Sequence, residues 1–95
     1  MKKLELYFYP QCPYCQIVLN ALRSTGLESI VKYYNTIEEP QRREKLIKDT
    51  GRSTVPCLYI DDKPMHESSD IADWIHKYAK EIQATDPKEK EARGN

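Results

Sequence analysis

The sequence lacks an excess of charge of either sign. Its 15 acidic residues balance its 15 basic residues, so the formal net charge at pH 7 is zero. No stripe of basic residues is present either, although a protein that binds nucleic acid through its phosphates needs one. The composition therefore gives no reason to expect a nucleic-acid partner.

Long apolar runs are also missing. A membrane-spanning helix needs about 20 consecutive apolar residues, and no run comes close to that length. The first ten residues, MKKLELYFYP, have neither the long apolar stretch nor the small-residue cleavage site of a signal peptide. We therefore expect no membrane partner and a cytoplasmic location, where thiols are kept reduced.

Candidate metal ligands are few, since the chain has three cysteines and two histidines. A structural zinc ion commonly takes four ligands from two closely spaced pairs. Besides Cys12 and Cys15, only Cys57, His66 and His76 remain, and none of them is paired at ligand spacing. We therefore expect no metal.

The stretch QCPYCQ contains two cysteines, Cys12 and Cys15, with Pro13 and Tyr14 between them. In a reducing compartment such a close pair is more often catalytic or metal-binding than structural. Proline is well suited to the first turn of a helix, where its missing N–H has no intrahelical partner. The motif predicts that Cys12 lies at the start of a helix and Cys15 one turn inside it.

This placement gives the two cysteines different roles. Free backbone N–H groups and the positive end of the helix dipole face Cys12 and favour its thiolate, which is the attacking species in disulfide exchange. We therefore expect Cys12 to be a solvent-reachable nucleophile. Cys15, deeper in the helix, can attack a mixed disulfide on Cys12. Tyr14 offers an exposed ring beside the sulfur.

Hydrophobic periodicity predicts the order β-α-β-α-β-β-α. Apolar and polar residues alternate over residues 3–8, which indicates a strand with one buried face and with Tyr7 on the other. Later strands are expected at residues 28–35, 53–61 and 63–66. Helices are expected at 13–25, at 36–50 with Pro40 as an alternative first helical residue, and from Ser68 or Ser69 onward. A strand–helix–strand start implies a parallel central pair, and the late hairpin adds antiparallel strands.

The chain is long enough for one domain, which we expect to cover residues 1–83. Residues 84–95 contain two alanines and otherwise polar or charged residues, glycine and proline. We expect this segment to be a disordered tail.

Two motifs together resemble the glutaredoxins of the thioredoxin superfamily. CPYC is the motif of dithiol glutaredoxins, and GRSTVP (residues 51–56) is similar to their Thr-Val-Pro segment. The resemblance runs from about Lys3 to about Tyr78. It implies a thioredoxin-like α/β fold, with a four-stranded mixed sheet flanked by three helices, and a cis peptide between Val55 and Pro56.

The resemblance also implies a binding site for glutathione. The backbone of Val55 would face the thiol pair and pair with the cysteinyl part of glutathione as an added strand. Tyr14, Thr54 and Pro56 are expected to line the same site.

The segment HESSD opens the last predicted helix, and a helix N-terminus binds carboxylates. His66-Glu67 occupies the position of the Gly-Gly pair of common glutaredoxins. Glu67-Ser68 is instead similar to the Glu-Ser pair of glutathione transferases, which bind the γ-glutamyl group there. We expect Ser68 and Ser69 to bind the γ-glutamyl carboxylate, with Glu67 near the amine. Simple helix capping by the serines stays open as an alternative.

Tyr9 is a second departure from the family pattern. Glutaredoxins often have a lysine three residues before the first cysteine, near the glycine carboxylate of glutathione. Tyr9 cannot supply that charge, and Arg52 or Lys48 are candidates to replace it.

The resemblance implies a monomeric, glutathione-dependent thiol–disulfide oxidoreductase that reduces protein disulfides and glutathione mixed disulfides, with glutathione as co-substrate. One alternative is an electron donor recharged by thioredoxin reductase, which Tyr9 favours. A second is an iron–sulfur cluster carrier, which Pro13 disfavours by stiffening the site. A third is a non-catalytic glutathione-binding module, against which the intact CPYC speaks. Cys57 could be a buried strand residue or a regulatory thiol.

Overall fold

The computed structural model describes residues 2–85, with side chains described as far as residue 82. The elements are β1 (Leu4–Phe8), α1 (Pro13–Thr25), a 3-10 helix (Leu27–Ile30), β2 (Val31–Asn35), α2 (Pro40–Thr50), β3 (Cys57–Ile60), β4 (Lys63–Met65) and α3 (Ser68–Thr85). The predicted order is confirmed. The second strand is shorter than predicted, because the 3-10 helix takes its first residues.

The C-terminal boundary differs slightly from the prediction. Helix α3 continues to Thr85 and so includes the first two residues of the expected tail, 84 and 85. The remainder of that predicted tail lies outside the described residues. Among the helices that the structure describes, none is long and apolar enough to cross a membrane.

The four strands form one mixed sheet in the order β2-β1-β3-β4. Strand β1 is parallel to β2 and antiparallel to β3, which in turn is antiparallel to β4. Because β1 and β3 run in opposite directions, Tyr7 near the end of β1 lies opposite Cys57 at the start of β3. The segment after β1, which contains the CPYC motif, therefore lies at the same end of the sheet as Val55 and Pro56.

Two apolar clusters cover the two faces of the sheet. The larger lies between the sheet and helices α1 and α3, and includes Leu6, Leu22 and Ile75. Such side chains, all without exposed surface, stabilise the fold by about 1.5–3 kcal/mol each.

The smaller cluster lies under α2 and consists of Tyr7, Leu46, Cys57 and Tyr59. It corrects the prediction of an exposed face on β1, because Tyr7 is only 1% exposed. Helix α2 covers this face of the sheet, and the rings of Tyr7 and Tyr59 pack with their centroids 4.8 Å apart. Cys57 is fully buried here, as one of its two interpretations predicts.

Candidate active site

Cys12 occupies the N-cap position of α1, and Pro13 is the first helical residue. The backbone of Cys12 is extended, and its Sγ accepts a hydrogen bond from the backbone N–H of Cys15 at 3.4 Å. Free N–H groups and the positive end of the helix dipole point toward a side chain at this position. The local geometry therefore follows the prediction from the CPYC motif.

The Cys12 sulfur is less open to solvent than the sequence suggests, because Cys12 is only 5% exposed. Its thiol donates a hydrogen bond to the carbonyl oxygen of Val55, in the segment before β3, with 3.9 Å between Sγ and that oxygen. Cys12 belongs to neither apolar cluster but lines an open cleft of about 630 Å³. Ligands would reach the sulfur through this cleft, here called the cysteine cleft, whose other walls include Tyr9, Ile37, Pro40 and Arg43.

Cys15 has no exposed surface. Burial, with a smaller effect from the adjacent Cys12 sulfur, raises the pKa of the Cys15 thiol to about 12. At neutral pH Cys15 therefore stays protonated, and of the two sulfurs Cys12 is the one placed to attack first.

A second cleft of about 420 Å³, here called the serine cleft, adjoins the first. All the residues predicted to bind glutathione line it, namely Tyr14, Thr54, Val55, Pro56, Glu67, Ser68 and Ser69. Tyr14, Thr54 and Val55 also line the cysteine cleft, so the two clefts meet at these three residues. The Val55–Pro56 peptide is cis, as the resemblance implies.

The first turn of α3 forms one end of the serine cleft. The helix begins at Ser68, and the carbonyl of Glu67 accepts the N–H of Ile71 at 2.9 Å. The first N–H groups of a helix have no intrahelical acceptor and favour a bound anion. Glu67 has a φ of 73°, in the left-handed region that favours glycine. Glu67 thus adopts a conformation that glycine, at the equivalent position of common glutaredoxins, reaches without strain.

Arg52 and His66 complete the lining of the serine cleft. The Nε2 atom of His66 is buried and has no hydrogen-bond partner among the described residues. Burial and, to a lesser degree, the positive charge of Arg52 lower the pKa of His66 below its usual value of 6.5. At neutral pH the histidine is therefore uncharged, and Arg52 is the cation among the described residues that line this cleft.

The structure separates the two candidates proposed to replace the lysine missing at Tyr9. Arg52 lines the serine cleft, whereas Lys48 faces a different surface depression on α2. A third cation, Arg43, lines the cysteine cleft, and its guanidinium lies 3.5 Å from the Ser53 hydroxyl. The sequence interpretation missed Arg43, because its place in the cysteine cleft depends on where α2 packs on the sheet.

Cys57 lines neither cleft. Burial raises the pKa of its thiol to about 12, and it packs among the residues under α2. Among residues 2–85, no group of three or more His, Cys, Asp or Glu side chains is placed to hold a metal ion.

Comparison with known proteins agrees with this architecture. Residues 6–83 match the family model "Glutathione S-transferase, N-terminal domain". Glutaredoxin 3 of Escherichia coli is 31% identical over 71 residues, which cover 75% of this chain and 83% of that protein.

Solved structures agree as well. Oxidized glutaredoxin 2 from Chlamydomonas reinhardtii superposes with a TM-score of 0.65 at 23% identity, over 85% of this chain and 78% of that one. A glutathione transferase homolog from Drosophila mojavensis, solved with bound glutathione, superposes with a TM-score of 0.67 at 28% identity, over 84% of this chain and 37% of that one. The chain therefore belongs to the thioredoxin superfamily, in the group formed by the glutaredoxins and the N-terminal domains of glutathione S-transferases.

Proposed function

We propose that this protein is a glutathione-dependent thiol–disulfide oxidoreductase in which Cys12 is the nucleophile. The observation that carries the proposal is the position of the Cys12 sulfur. It caps a helix N-terminus and lies 3.9 Å from the Val55 carbonyl, where two open clefts meet. The family supports the same chemistry, since its members include Glutaredoxin 3 of Escherichia coli.

The first step is attack of the Cys12 thiolate on the glutathione sulfur of a mixed disulfide. A bond forms between Cys12 and that sulfur, the substrate's S–S bond breaks, and the substrate leaves as a thiolate that takes up a proton. A second glutathione thiolate then attacks the glutathione sulfur bound to Cys12. Oxidised glutathione departs, and Cys12 regains its thiolate.

Protein disulfides would use Cys15 as well. After Cys12 forms a mixed disulfide with the substrate, Cys15 attacks the Cys12 sulfur, and the substrate's second thiol is released. The raised pKa of Cys15 has a contribution from the Cys12 sulfur. That contribution disappears once Cys12 is in a mixed disulfide, so Cys15 becomes easier to deprotonate when its thiolate is needed. Two glutathione molecules then reduce the Cys12–Cys15 disulfide.

Glutathione would span both clefts. Its γ-glutamyl carboxylate would meet the free N–H groups and hydroxyls of Ser68 and Ser69, with its amine near Glu67. Its cysteinyl backbone would lie along Val55, which brings its sulfur to Cys12. Its glycine carboxylate would point toward Arg43, the single charged side chain that lines the cysteine cleft within the described part of the chain.

The test is steady-state reduction of a glutathionylated peptide, with reduced glutathione, glutathione reductase and NADPH. We expect Cys12→Ser to lose essentially all activity. Cys15→Ser should keep reduction of the glutathione mixed disulfide but lose reduction of a protein disulfide. Cys57→Ala is the matched control, because Cys57 lies outside both clefts. The folded fraction of this variant should reduce the glutathionylated peptide at the normal rate. Full activity of the Cys12→Ser variant would contradict the proposal.

Tyr9 supports one second candidate, an electron donor that thioredoxin reductase recharges. No lysine stands at this position to attract a glutathione carboxylate, and Tyr9 lines the cysteine cleft. Measuring the rate at which each reductase system reduces the oxidised protein separates the two candidates. Faster reduction by thioredoxin reductase than by glutathione would favour the second.

A further inference from the structure

His66 combines a place in the wall of the serine cleft with a buried nitrogen that has no partner. Its imidazole lines the cleft, and its Nε2 atom has no hydrogen-bond partner among the described residues. Among the side chains that the structure describes, no other buried nitrogen or oxygen atom is in this state. A buried polar atom without a partner costs free energy, so a native structure keeps one only for a reason.

The next residue, Glu67, carries a second local cost. Its φ of 73° lies in the left-handed region, which is unfavourable for a residue with a side chain. Unfavourable backbone conformations of this kind cluster at sites where ligands bind. Two adjacent residues of the serine cleft therefore both adopt arrangements that stability alone does not favour.

Titratable and charged groups that line or border the serine cleft beside His66 come from several elements. They are Tyr14 of α1, Arg52 after α2, Cys57 of β3, whose thiol contacts the Met65 backbone, and Glu67 and Asp70 at the start of α3. Burial has the largest effect on His66 and lowers its pKa; the charge of Arg52 lowers that pKa further, and the charge of Glu67 raises it. Glu67 is therefore the anion that favours a charged imidazole.

Protonation changes what the imidazole of His66 requires. A charged imidazole has an N–H on both nitrogens, so Nε2 becomes a charged donor without an acceptor where it lies. A buried charged donor costs far more than a buried neutral atom. The imidazolium would therefore turn toward water and the carboxylate of Glu67. Because His66 forms part of the cleft wall, this movement would change the space in which a ligand lies.

A charged His66 conflicts with the glutathione pose proposed above. It would compete with the ligand's amine for the carboxylate of Glu67, and it would repel that amine. The ligand's γ-glutamyl carboxylate would gain little, because in this pose it already meets the free N–H groups of α3. Bound glutathione would also exclude water from the imidazole, which disfavours its charged form further.

We propose that His66 is a further residue of the glutathione site and makes binding depend on protons: the serine cleft holds the γ-glutamyl group while the imidazole is neutral and releases it when the imidazole is protonated. This inference rests on the proposed function and names a regulation of the same site. No covalent bond changes. His66 takes up one proton from solvent as glutathione leaves.

The test uses S-methylglutathione, whose methylated sulfur cannot enter disulfide exchange. NMR titrations of the reduced full chain follow the backbone amides of Ser68 and Ser69 for binding, and the imidazole signals for protonation. The chain has two histidines, and His76 is exposed on α3 and lines neither cleft, so it is an internal control. The lowest pH is about 5, provided that circular dichroism shows a folded chain there, and otherwise the lowest pH at which it does.

The dissociation constant of S-methylglutathione should rise by about threefold or more from about pH 7.5 to this lowest pH, because only the fraction with neutral His66 binds well. By linkage, saturation with the ligand should lower the midpoint pH of His66 and leave that of His76 unchanged. His66→Gln should have the same dissociation constant at both pH values, since glutamine cannot be charged. His76→Gln is the matched control and should keep the pH dependence.

Four results would overturn the inference. They are amides of Ser68 and Ser69 that do not respond to the ligand, a dissociation constant that is constant or falls toward low pH, a His66 midpoint that the ligand leaves unchanged or raises, and a pH dependence that survives in His66→Gln. If the glutathionylated peptide is still reduced through Cys12, this inference alone fails. If that reduction is absent and the amides do not respond, the proposed function fails and the inference fails with it.

Discussion

Cys12 and Cys15 have different surroundings although only two residues separate them. Cys12 accepts a helix N–H and borders a cleft, whereas Cys15 is one turn deeper and has no exposed surface. Burial keeps Cys15 protonated at neutral pH, with its pKa raised to about 12. The proposed division of roles between an attacking and a resolving thiol therefore follows from the cleft and the helix N–H at Cys12 and from the complete burial of Cys15.

His66 should make the stability of the fold depend on pH. Its pKa is lowered in the folded protein, so the folded state binds the proton more weakly than the unfolded state. The free energy of unfolding should therefore fall as the pH drops below about 6.5, the ordinary pKa of histidine. Urea titrations at about pH 7.5 and about pH 5 measure this loss of stability.

His66→Gln should reduce that pH dependence, whereas His76→Gln, which removes an exposed imidazole on α3, should leave it unchanged. The carboxyl groups of Asp49 and Asp61, whose pKa values are lowered, lose their contribution only at still lower pH. An unchanged pH dependence in His66→Gln would show that burial of this histidine does not affect stability.

Helix α2 is attached to the sheet by little apolar surface. Leu46 is its one fully buried side chain. Polar contacts also hold α2 on the sheet. The Tyr59 hydroxyl donates to Asp49 at 2.8 Å, and the Arg42 guanidinium lies 3.7 Å from the centre of the Tyr34 ring. Because α2 also holds Arg43 at the cysteine cleft, its docking affects the site.

Leu46→Ala should destabilise the protein by about 2–5 kcal/mol, because it leaves a cavity under the helix. Ile47→Ala is the matched control, since Ile47 is 37% exposed and its loss should cost less than about 0.5 kcal/mol. Urea unfolding followed by circular dichroism measures both. Similar losses in the two variants would mean that Leu46 does not anchor α2.

The first turn of α3 has a structural and a proposed binding role, and one substitution separates them. A carboxylate at position 69 should stabilise the helix by about 0.3–1 kcal/mol through the helix dipole. The same charge should repel the γ-glutamyl carboxylate of glutathione. Ser69→Asp is therefore expected to retain or gain stability while the KM for glutathione rises by about tenfold or more.

Thermal unfolding and glutathione kinetics on the same preparation measure the two effects. Ser69→Ala is the control for loss of the hydroxyl alone, and its KM should rise less. If Ser69→Asp binds glutathione with an unchanged KM, the serines stabilise the start of α3 and do not bind the γ-glutamyl carboxylate.

Local signals in the sequence predicted most of the element boundaries. Pro13 marks the start of α1, and Gly26 and Gly51 mark the ends of α1 and α2 in left-handed conformations. The burial of Tyr7 and the position of Arg43 in the cysteine cleft were not predicted. Both depend on where α2 packs on the sheet, and periodicity within one segment does not contain that information.

For the whole molecule, the sheet topology is what assembles the site. Strand β1 ends, β3 begins and β4 ends at the same end of the sheet, because β3 is antiparallel to both of its neighbours. Helices α1 and α3 therefore start at this end of the sheet, and their N-termini lie on either side of Val55. Residues distant in sequence, Cys12 and Ser68, thus border adjoining clefts.

The resemblance predicted this convergence more fully than the residues alone could. CPYC and the Thr-Val-Pro segment identify the family, and the family's topology brings Tyr14, Val55 and Ser68 together. The contribution of Ile37 to the cysteine cleft was not predictable, because it depends on the turn fixed by Asn35 and Phe8.

The crystal structure of Cys15→Ser, reacted with oxidised glutathione, tests the central assignment most directly. Without Cys15 the mixed disulfide cannot be resolved internally. We expect electron density that joins the glutathione sulfur to the Cys12 Sγ, with the γ-glutamyl carboxylate at the first turn of α3. Glutathione attached to Cys57, or a γ-glutamyl group far from Ser68 and Ser69, would contradict the assignment.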